Sequence, residues 1–199
     1  MDHYYSSQPS SKSKPQEMKI KLDDMNLTIK TDAGVFSKDK IDKGSETLIA
    51  AARKSDYPEG NLLDLGCGYG IIGISLAKSF KNRLIEMVDV NERALSLAKA
   101  NAQTNQVENV EIYPSDVFSN VTNKKLAGII SNPPIRAGKK VVHQILEEAY
   151  DHLIKGGKLQ IVIQRKQGAP SAKKKMKEVF GNVERIALEK GYWVLESVK

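Results

Sequence analysis

Apolar and polar positions along the chain fall into two regimes. Between residues 17 and 31 apolar side chains alternate: Met18, Ile20 and Leu22, then the turn-rich Asp23-Asp24-Met25-Asn26, then Leu27 and Ile29. A period of two marks strands that bury one face, so this spacing predicts a β-hairpin. Residues 31–43 read as a loop carrying Val35, Phe36 and Ile41, and 45–53 as a helix with Leu48 and Ile49 inward. From Asn61 the pattern becomes regular strand–helix alternation. Short apolar runs predict strands over 62–65, 83–90, 107–113, 126–131 and 158–164, and helical spacing predicts helices over 71–80, 92–104, 140–153 and 171–180. Gly156-Gly157 reads as the stop of the helix before the fifth of these strands. Two closing strands, 183–188 and 192–197, flank the tight turn Lys190-Gly191. Strands joined through helices need parallel crossovers, so the fold class is a doubly wound α/β sheet. The last two strands are too close for a helix, so one runs antiparallel.

Composition narrows this picture. A chain of 199 residues has the length of one domain. The first sixteen residues hold five Ser and two Pro, with Tyr4-Tyr5 as the one aromatic pair, and read as a flexible arm. Residues 17–199 are then expected to form a single domain, with the hairpin and helix in 17–55 and the α/β core in 56–199. One cysteine excludes an internal disulfide or a cysteine-based zinc site and fits a reducing, cytoplasmic setting with no disulfide-linked partner. No apolar run reaches the roughly 20 residues of a membrane helix. Residues 1–13 have no apolar signal core, so a soluble protein without a membrane partner is expected. The three histidines lack metal-ligand spacing, and no metal site is expected. A net charge of +7 points to an anionic partner such as nucleic acid.

The first core strand runs into Asp64-Leu65-Gly66-Cys67-Gly68-Tyr69-Gly70. In open α/β sheets, ligands bind where strands end and the winding reverses, and glycines there let the backbone approach a ligand. Gly68-Tyr69-Gly70-Ile71-Ile72-Gly73 literally satisfies the dinucleotide pattern G-x-G-x-x-G. Yet Asp64 stands at the mouth of the turn, where a carboxylate repels a pyrophosphate but suits a cation such as an amino-acid ammonium. Asp89 ends the next strand, placed for ribose hydroxyls, which suits NAD and S-adenosylmethionine equally. Asp116 follows the third strand and could accept from an adenine amino group while Val117 or Phe118 packs on the ring. Alone, each acid is most simply a helix cap or a solvated turn residue. Three at successive strand ends beside a glycine turn make a binding site the better reading. Cys67 reads as a small buried residue, not a nucleophile.

The fourth core strand runs into Ser131-Asn132-Pro133-Pro134-Ile135-Arg136. Two prolines fix the backbone and remove two N–H donors, so Asn132 and the Pro133 carbonyl offer acceptors at the switch point. Such a pair suits an exocyclic NH2 group, which has two hydrogens to give. Accepting both would localise the nitrogen lone pair toward a sulfonium methyl, by positioning and electrostatics with no strong base.

At these residues the chain resembles the class I S-adenosylmethionine-dependent methyltransferases. Within them it is similar to the small single-domain group related to the ribosomal RNA small-subunit guanine-N2 methyltransferases. The matching stretches are Gly34-Val35-Phe36-Ser37 with Ile41-Asp42-Lys43-Gly44-Ser45, the turn from Asp64 to Gly70, Val88-Asp89-Val90-Asn91, Ser115-Asp116-Val117-Phe118, and Asn132-Pro133-Pro134-Ile135-Arg136-Ala137-Gly138-Lys139. The resemblance implies a Rossmann-like sheet of seven strands, mostly parallel, with the last antiparallel. It implies S-adenosylmethionine as cofactor and S-adenosylhomocysteine as product. Cofactor contacts are expected at Phe36, Asp64, Gly66, Cys67, Gly68, Gly70, Asp89, Val90, Asp116, Val117 and Asn132, with Asn132, Pro133 and Pro134 as the catalytic turn. The chain departs from the family pattern at Ile135, where an aromatic is usual, and at Arg136, where the guanine-methylating relatives commonly carry histidine. Base stacking must therefore come from elsewhere, and no duplicated N-terminal domain is read in the chain.

Basic residues cluster after the site. Arg136, Lys139, Lys140, Arg165 and Lys166, with the apolar Ile135 beside them, fall at or beside carboxyl ends of strands, where phosphates would bring a target base to the cleft. Lys173, Lys174, Lys175 and Lys177 follow with no acid between, a run equally consistent with a solvated helix face. The expected function is methyl transfer to an exocyclic amine of RNA, most naturally guanine N2 of small-subunit ribosomal RNA, with the RNA or the ribosomal subunit as partner and the protein a monomer or weak dimer. The alternatives are a protein glutamine-amide or adenine-N6 methyltransferase, a non-catalytic RNA-binding or assembly module on the same fold, and an NAD oxidoreductase.

Overall fold

The computed structural model describes residues 16–32, 41–134 and 138–199, so the expected arm falls almost wholly outside it, as do Phe36, Ile135 and Arg136. Strands β1 (Gln16–Leu22) and β2 (Met25–Thr31) form the expected hairpin, paired from Gln16↔Thr31 to Leu22↔Met25. The turn is Asp23-Asp24 alone, tighter than the four-residue stretch expected. Asp23 takes a φ of 48°, a left-handed conformation that short polar side chains tolerate. Met25 thereby joins Ile20, Leu22, Leu27 and Ile29 on the buried face.

The core elements are α1 (Lys43–Ala52), β3 (Leu62–Leu65), α2 (Ile71–Ser79), β4 (Ile85–Asp89), α3 (Glu92–Thr104), β5 (Val110–Pro114), β6 (Leu126–Ser131), α4 (Lys139–His152), β7 (Leu153–Gln164), α5 (Ala169–Phe180), β8 (Glu184–Glu189) and β9 (Tyr192–Val198). Seven strands line up as β5-β4-β3-β6-β7-β9-β8. Pairs among β3 to β7 are parallel, and β9 runs antiparallel to both β7 and β8. The winding reverses between β3 and β6, so their carboxyl ends frame the crevice where such sheets bind ligands. The strands' buried residues divide between two apolar layers. Leu62, Met87, Ile130 and Val162 face the hairpin, α1, α2 and α3, whereas Leu63, Val88, Ile129 and Ile161 face α4 and α5.

One boundary differs from expectation. The helix α4 ends at His152, and β7 starts at once, carrying Gly156-Gly157 inside the strand instead of using them as a helix stop. The pairing slips from Leu126↔Leu153 to Gly128↔Lys158, a bulge in which Gly156 takes a φ of 80°. A glycine pair serves a helix stop and a strand bulge equally well, and here pairing with β6 decides between them.

The hairpin shares no strand pairing with the seven-stranded sheet. Asn101 of α3 and Asn105, the residue that caps its end, hold the edge of β2 instead. Asn105 accepts from the Thr28 N–H at 3.0 Å and donates to the Thr28 and Asn101 carbonyls, each at 2.8 Å. Asn101 accepts from the Lys30 N–H at 2.7 Å and donates to the Lys30 and Tyr69 carbonyls, each at 2.9 Å. A side-chain amide offers the same donor and acceptor as a peptide, so the pair substitutes for a neighbouring strand. Asn105→Ala removes three of these bonds at about 1 kcal/mol each, and is expected to lower the urea unfolding free energy by about 2–3 kcal/mol. An unchanged midpoint would show the hairpin to be uncoupled from the core.

Candidate active site

The end of β3 is tied to its neighbours by backbone bonds before the glycine turn begins. The Gly66 and Cys67 N–H groups both donate to the Val88 carbonyl, at 2.9 and 2.8 Å. Ser131 Oγ donates to the Leu65 carbonyl at 2.7 Å, joining the ends of β6 and β3 across the switch point. Gly66 and Gly68 take φ of 76° and 56°, and a side-chain carbon on either would meet nothing within 4 Å, so both face the open cleft. Gly70 caps α2 at φ 92° but packs inward, with a Cβ there only 2.8 Å from the Met87 Cε. Gly70 is therefore not among the residues lining the cleft.

Asp64 is fully buried beneath the turn and also lies outside the lining. Its Oδ2 accepts the Gly73 N–H in the first turn of α2 at 2.7 Å, and Oδ1 has no hydrogen-bond partner among the described residues. Burial pushes its carboxyl up to about 7; the Gly73 bond opposes this and the charge of Asp89 adds to it. Asp89 lines the cleft. Its Oδ2 accepts the Gly68 N–H and its Oδ1 the Asn91 N–H, both at 2.8 Å, so it shapes the glycine turn as well as facing a ligand. Each carboxylate oxygen accepts two hydrogen bonds, which leaves capacity for ribose hydroxyls. Burial raises its pKa against the backbone N–H groups of Asn91, Gly68 and Val90. Cys67 is buried, and desolvation, with the charges of Asp64 and Asp89, holds its thiol well above the ordinary range. A thiol so held is not a nucleophile near neutral pH.

Asn132 follows β6. Its Nδ2 donates to Asp42 Oδ2 at 2.9 Å and to Ser45 Oγ at 3.0 Å. Asp42 caps α1, accepting from the Gly44 N–H at 2.8 Å, the Ser45 N–H at 2.9 Å and the Ser45 hydroxyl at 2.6 Å. The cleft encloses about 400 Å3 and brings together, of the expected residues, Gly66, Cys67, Gly68, Asp89, Val90, Asp116, Val117, Asn132, Pro133 and Pro134. Asp116 is exposed at its rim, where Val117 takes a φ of 49°. The volume falls within the ~300–1,000 Å3 of small-molecule sites.

Of the basic residues, Lys139 and Lys140 open α4, and Arg165 and Lys166 form a short 3-10 turn after β7, all four exposed. Helix α4 and this turn also contribute Val141, Ile145 and Gln167 to the cleft, so the four cations share its edge. The α5 lysines divide. Lys175 pairs with Glu147 and Lys177 donates to the Gly181 carbonyl, whereas Lys173 and Lys174 are exposed. Among the described residues, no group of His, Cys, Asp or Glu is arranged to hold a metal ion. No helix there is long and apolar enough to cross a membrane.

The resemblance implies that Phe36 and the segment before the first helix, which takes in Asp42, cover the cleft, but it singles out none of Asp42, Ser45 and Tyr192 as a contact, and all three line it. An Asp–x–x–Ser start to a helix signalled the cap but not its contact with Asn132. Tyr192 opens β9 opposite Gln164, the last residue of β7, and so stands at the ligand edge of the sheet. Its ring lies against Gly44, where a Cβ would come within 2.9 Å of it. The turn Lys190-Gly191 carried that information, since it sets the return of β9 along β7.

Comparison with known proteins agrees with this architecture. The family model described as Methyltransferase small domain matches residues 26–196. The Bacillus subtilis (strain 168) protein named "Uncharacterized protein YbxB" is 50% identical over 199 residues, covering 100% of this chain and 98% of that one. Ribosomal RNA small subunit methyltransferase C of Haemophilus influenzae (strain PittGG) is 40% identical over 141 residues, 69% of this chain and 42% of the relative. A solved structure of T. Thermophilus 16S rRNA N2 G1207 methyltransferase, in complex with AdoMet and guanosine, shares the fold with a TM-score of 0.82 at 22% identity, covering 93% of this chain and 50% of that one. The chain thus spans half or less of the length of these methyltransferases. With its seven-stranded sheet, its reversal between β3 and β6 and its Asn-Pro-Pro turn, the chain belongs to the methyltransferase small domain family.

Proposed function

We propose that this protein transfers a methyl group from S-adenosylmethionine to an exocyclic amine of RNA, guanine N2 of small-subunit ribosomal RNA. The observation that carries the reading is Asn132, which anchors its amide nitrogen on Asp42 and Ser45 beside a proline-fixed backbone in a cleft of cofactor size. The relatives named for 16S and small-subunit ribosomal RNA methylation support the substrate.

The cleft fits the cofactor. Gly66 and Gly68 leave open the space that side chains would fill, and the Asp89 carboxylate keeps acceptors for a ribose. Asp116 and Val117 stand where an adenine edge and face would lie. The cofactor supplies the methyl on a sulfonium; the chain supplies placement. Asn132 Oδ1 and the Pro133 carbonyl accept from the target amine and aim its lone pair. Tyr192 provides the aromatic wall that Ile135 does not. Lys139, Lys140, Arg165 and Lys166 hold phosphates at the cleft edge. A dinucleotide is disfavoured because Asp64, from beneath the turn, takes the Gly73 N–H in the first turn of α2, which is then not free for a pyrophosphate.

The test is incubation of the full chain with labelled S-adenosylmethionine and small-subunit ribosomal RNA, free and in subunits, followed by nucleoside analysis. Label in N2-methylguanosine is expected. Label in N6-methyladenosine or in a protein amide would overturn the substrate.

A further inference from the structure

We infer that Asp42 is a positioning residue that fixes which end of the Asn132 amide faces the substrate; this rests on the proposed role of Asn132 as acceptor for the target amine. The two ends of an asparagine amide are nearly equal in size and opposite in hydrogen bonding, so a half-turn converts an acceptor site into a donor site. Only the neighbours decide between the two.

Here both neighbours are acceptors toward Asn132. Both Asp42 carboxylate oxygens accept, from the Gly44 N–H, the Ser45 N–H and the Ser45 hydroxyl, and Oδ2 lies 2.9 Å from the amide nitrogen. The Ser45 hydroxyl spends its one proton on the same Oδ2 at 2.6 Å, leaving only lone pairs for Asn132 at 3.0 Å. A flipped amide would set its oxygen against two acceptors. Nδ2 is thus held on the α1 side, and Oδ1 is the end left for a ligand.

Asp42 is itself held. It caps α1 through Gly44 and Ser45, and Lys43 pairs with Glu189 at 2.8 Å. The ring of Tyr192 against Gly44 is a second brace from the β8–β9 hairpin. Helix α1 therefore carries the orientation of a side chain that lies 90 positions later in the chain.

The experiment is Asp42→Asn in the full chain. Asparagine caps helices about as well as aspartate, so α1 keeps its cap. It has one oxygen for the donors that the carboxylate divides between two, the Gly44 N–H on Oδ1 and the Ser45 N–H, Ser45 hydroxyl and Asn132 NH2 on Oδ2, so the hold on the Asn132 nitrogen is weakened and its oxygen is no longer fixed toward the substrate. With small-subunit ribosomal RNA as the probe, kcat is expected to fall about 100-fold, the scale of a lost oriented polar contact in an active site. Cofactor affinity by calorimetry and the melting temperature are expected to stay at wild-type values. In 15N–1H spectra the Asn132 side-chain NH2 signals, assigned by their loss in Asn132→Asp, are expected to move and to exchange faster with solvent. Wild-type kcat in the variant, beside an active wild-type protein, would overturn the inference. If the wild type fails to methylate this RNA, the substrate reading falls, and the NH2 signals then decide alone: unmoved signals overturn the positioning role and displaced ones support it.

Discussion

Asn132→Ala is expected to lower kcat by about 100- to 1,000-fold while cofactor affinity falls far less. The split follows from what the side chain touches. Its nitrogen is engaged with Asp42 and Ser45, which belong to α1, and the glycine turn is shaped by Asp89 without its help. Alanine removes the acceptor aimed at the amine and leaves the cofactor's wall of Gly66, Gly68 and Asp89 in place. The amine then binds with its lone pair unoriented, and the loss falls on the chemical step. Single-turnover transfer to small-subunit ribosomal RNA measures it, with calorimetry for the cofactor. Full methyl transfer by the variant would remove Asn132 from the mechanism. Equal losses in kcat and cofactor affinity would make it a binding residue instead.

The second large effect concerns stability and pH. Burial, aided by the charge of Asp89 and opposed by the Gly73 bond, raises the Asp64 carboxyl to about 7. An unfolded aspartate titrates near ~3.9. Between those values the folded chain holds a proton that the unfolded chain has released, so stability falls as pH rises. The contribution is fully present below about pH 4 and is lost as pH passes through about 7, with a total on the order of 4 kcal/mol. Asp64→Asn keeps an oxygen for the Gly73 N–H and cannot ionise. The variant is therefore expected to gain on the wild type from pH 5 to about pH 7 in urea unfolding and to level off above that. A difference that does not change with pH would mean that the carboxyl is already ionised, or already neutral, across the whole range.

The parts of the fold that could be read from the chain are those whose ends carry chemical punctuation. Strand β6 runs from Leu126 to the residue before Asn-Pro-Pro, and α3 starts after Asn91, whose side chain accepts from the Arg93 and Ala94 N–H groups. Both have the bounds that their spacing predicts. Gly156-Gly157 carried two meanings, and only pairing with β6 selects the bulge. The ligand edge was readable for the same reason as the sheet, because in a doubly wound fold the strand ends are the crevice. That logic finds Asp89, Asp116 and Asn132, each at the end of a strand or within two residues after it. It cannot find Asp42, which reaches the site from a helix outside the alternation, nor Tyr192, which returns on the antiparallel strand. Nor does it tell Asp64, turned under the glycine loop, from acids that face the cleft.

The asparagine pair that borders β2 has a consequence for motion. Thr28 and Lys30 give their N–H groups to side chains at the end of α3 and within it, and Asn101 also holds the Tyr69 carbonyl within the glycine turn. Deuterium uptake at those two amides will therefore follow the opening of α3 and not the fraying of a two-stranded ribbon. A ligand that stills the turn will slow exchange in a hairpin it never touches.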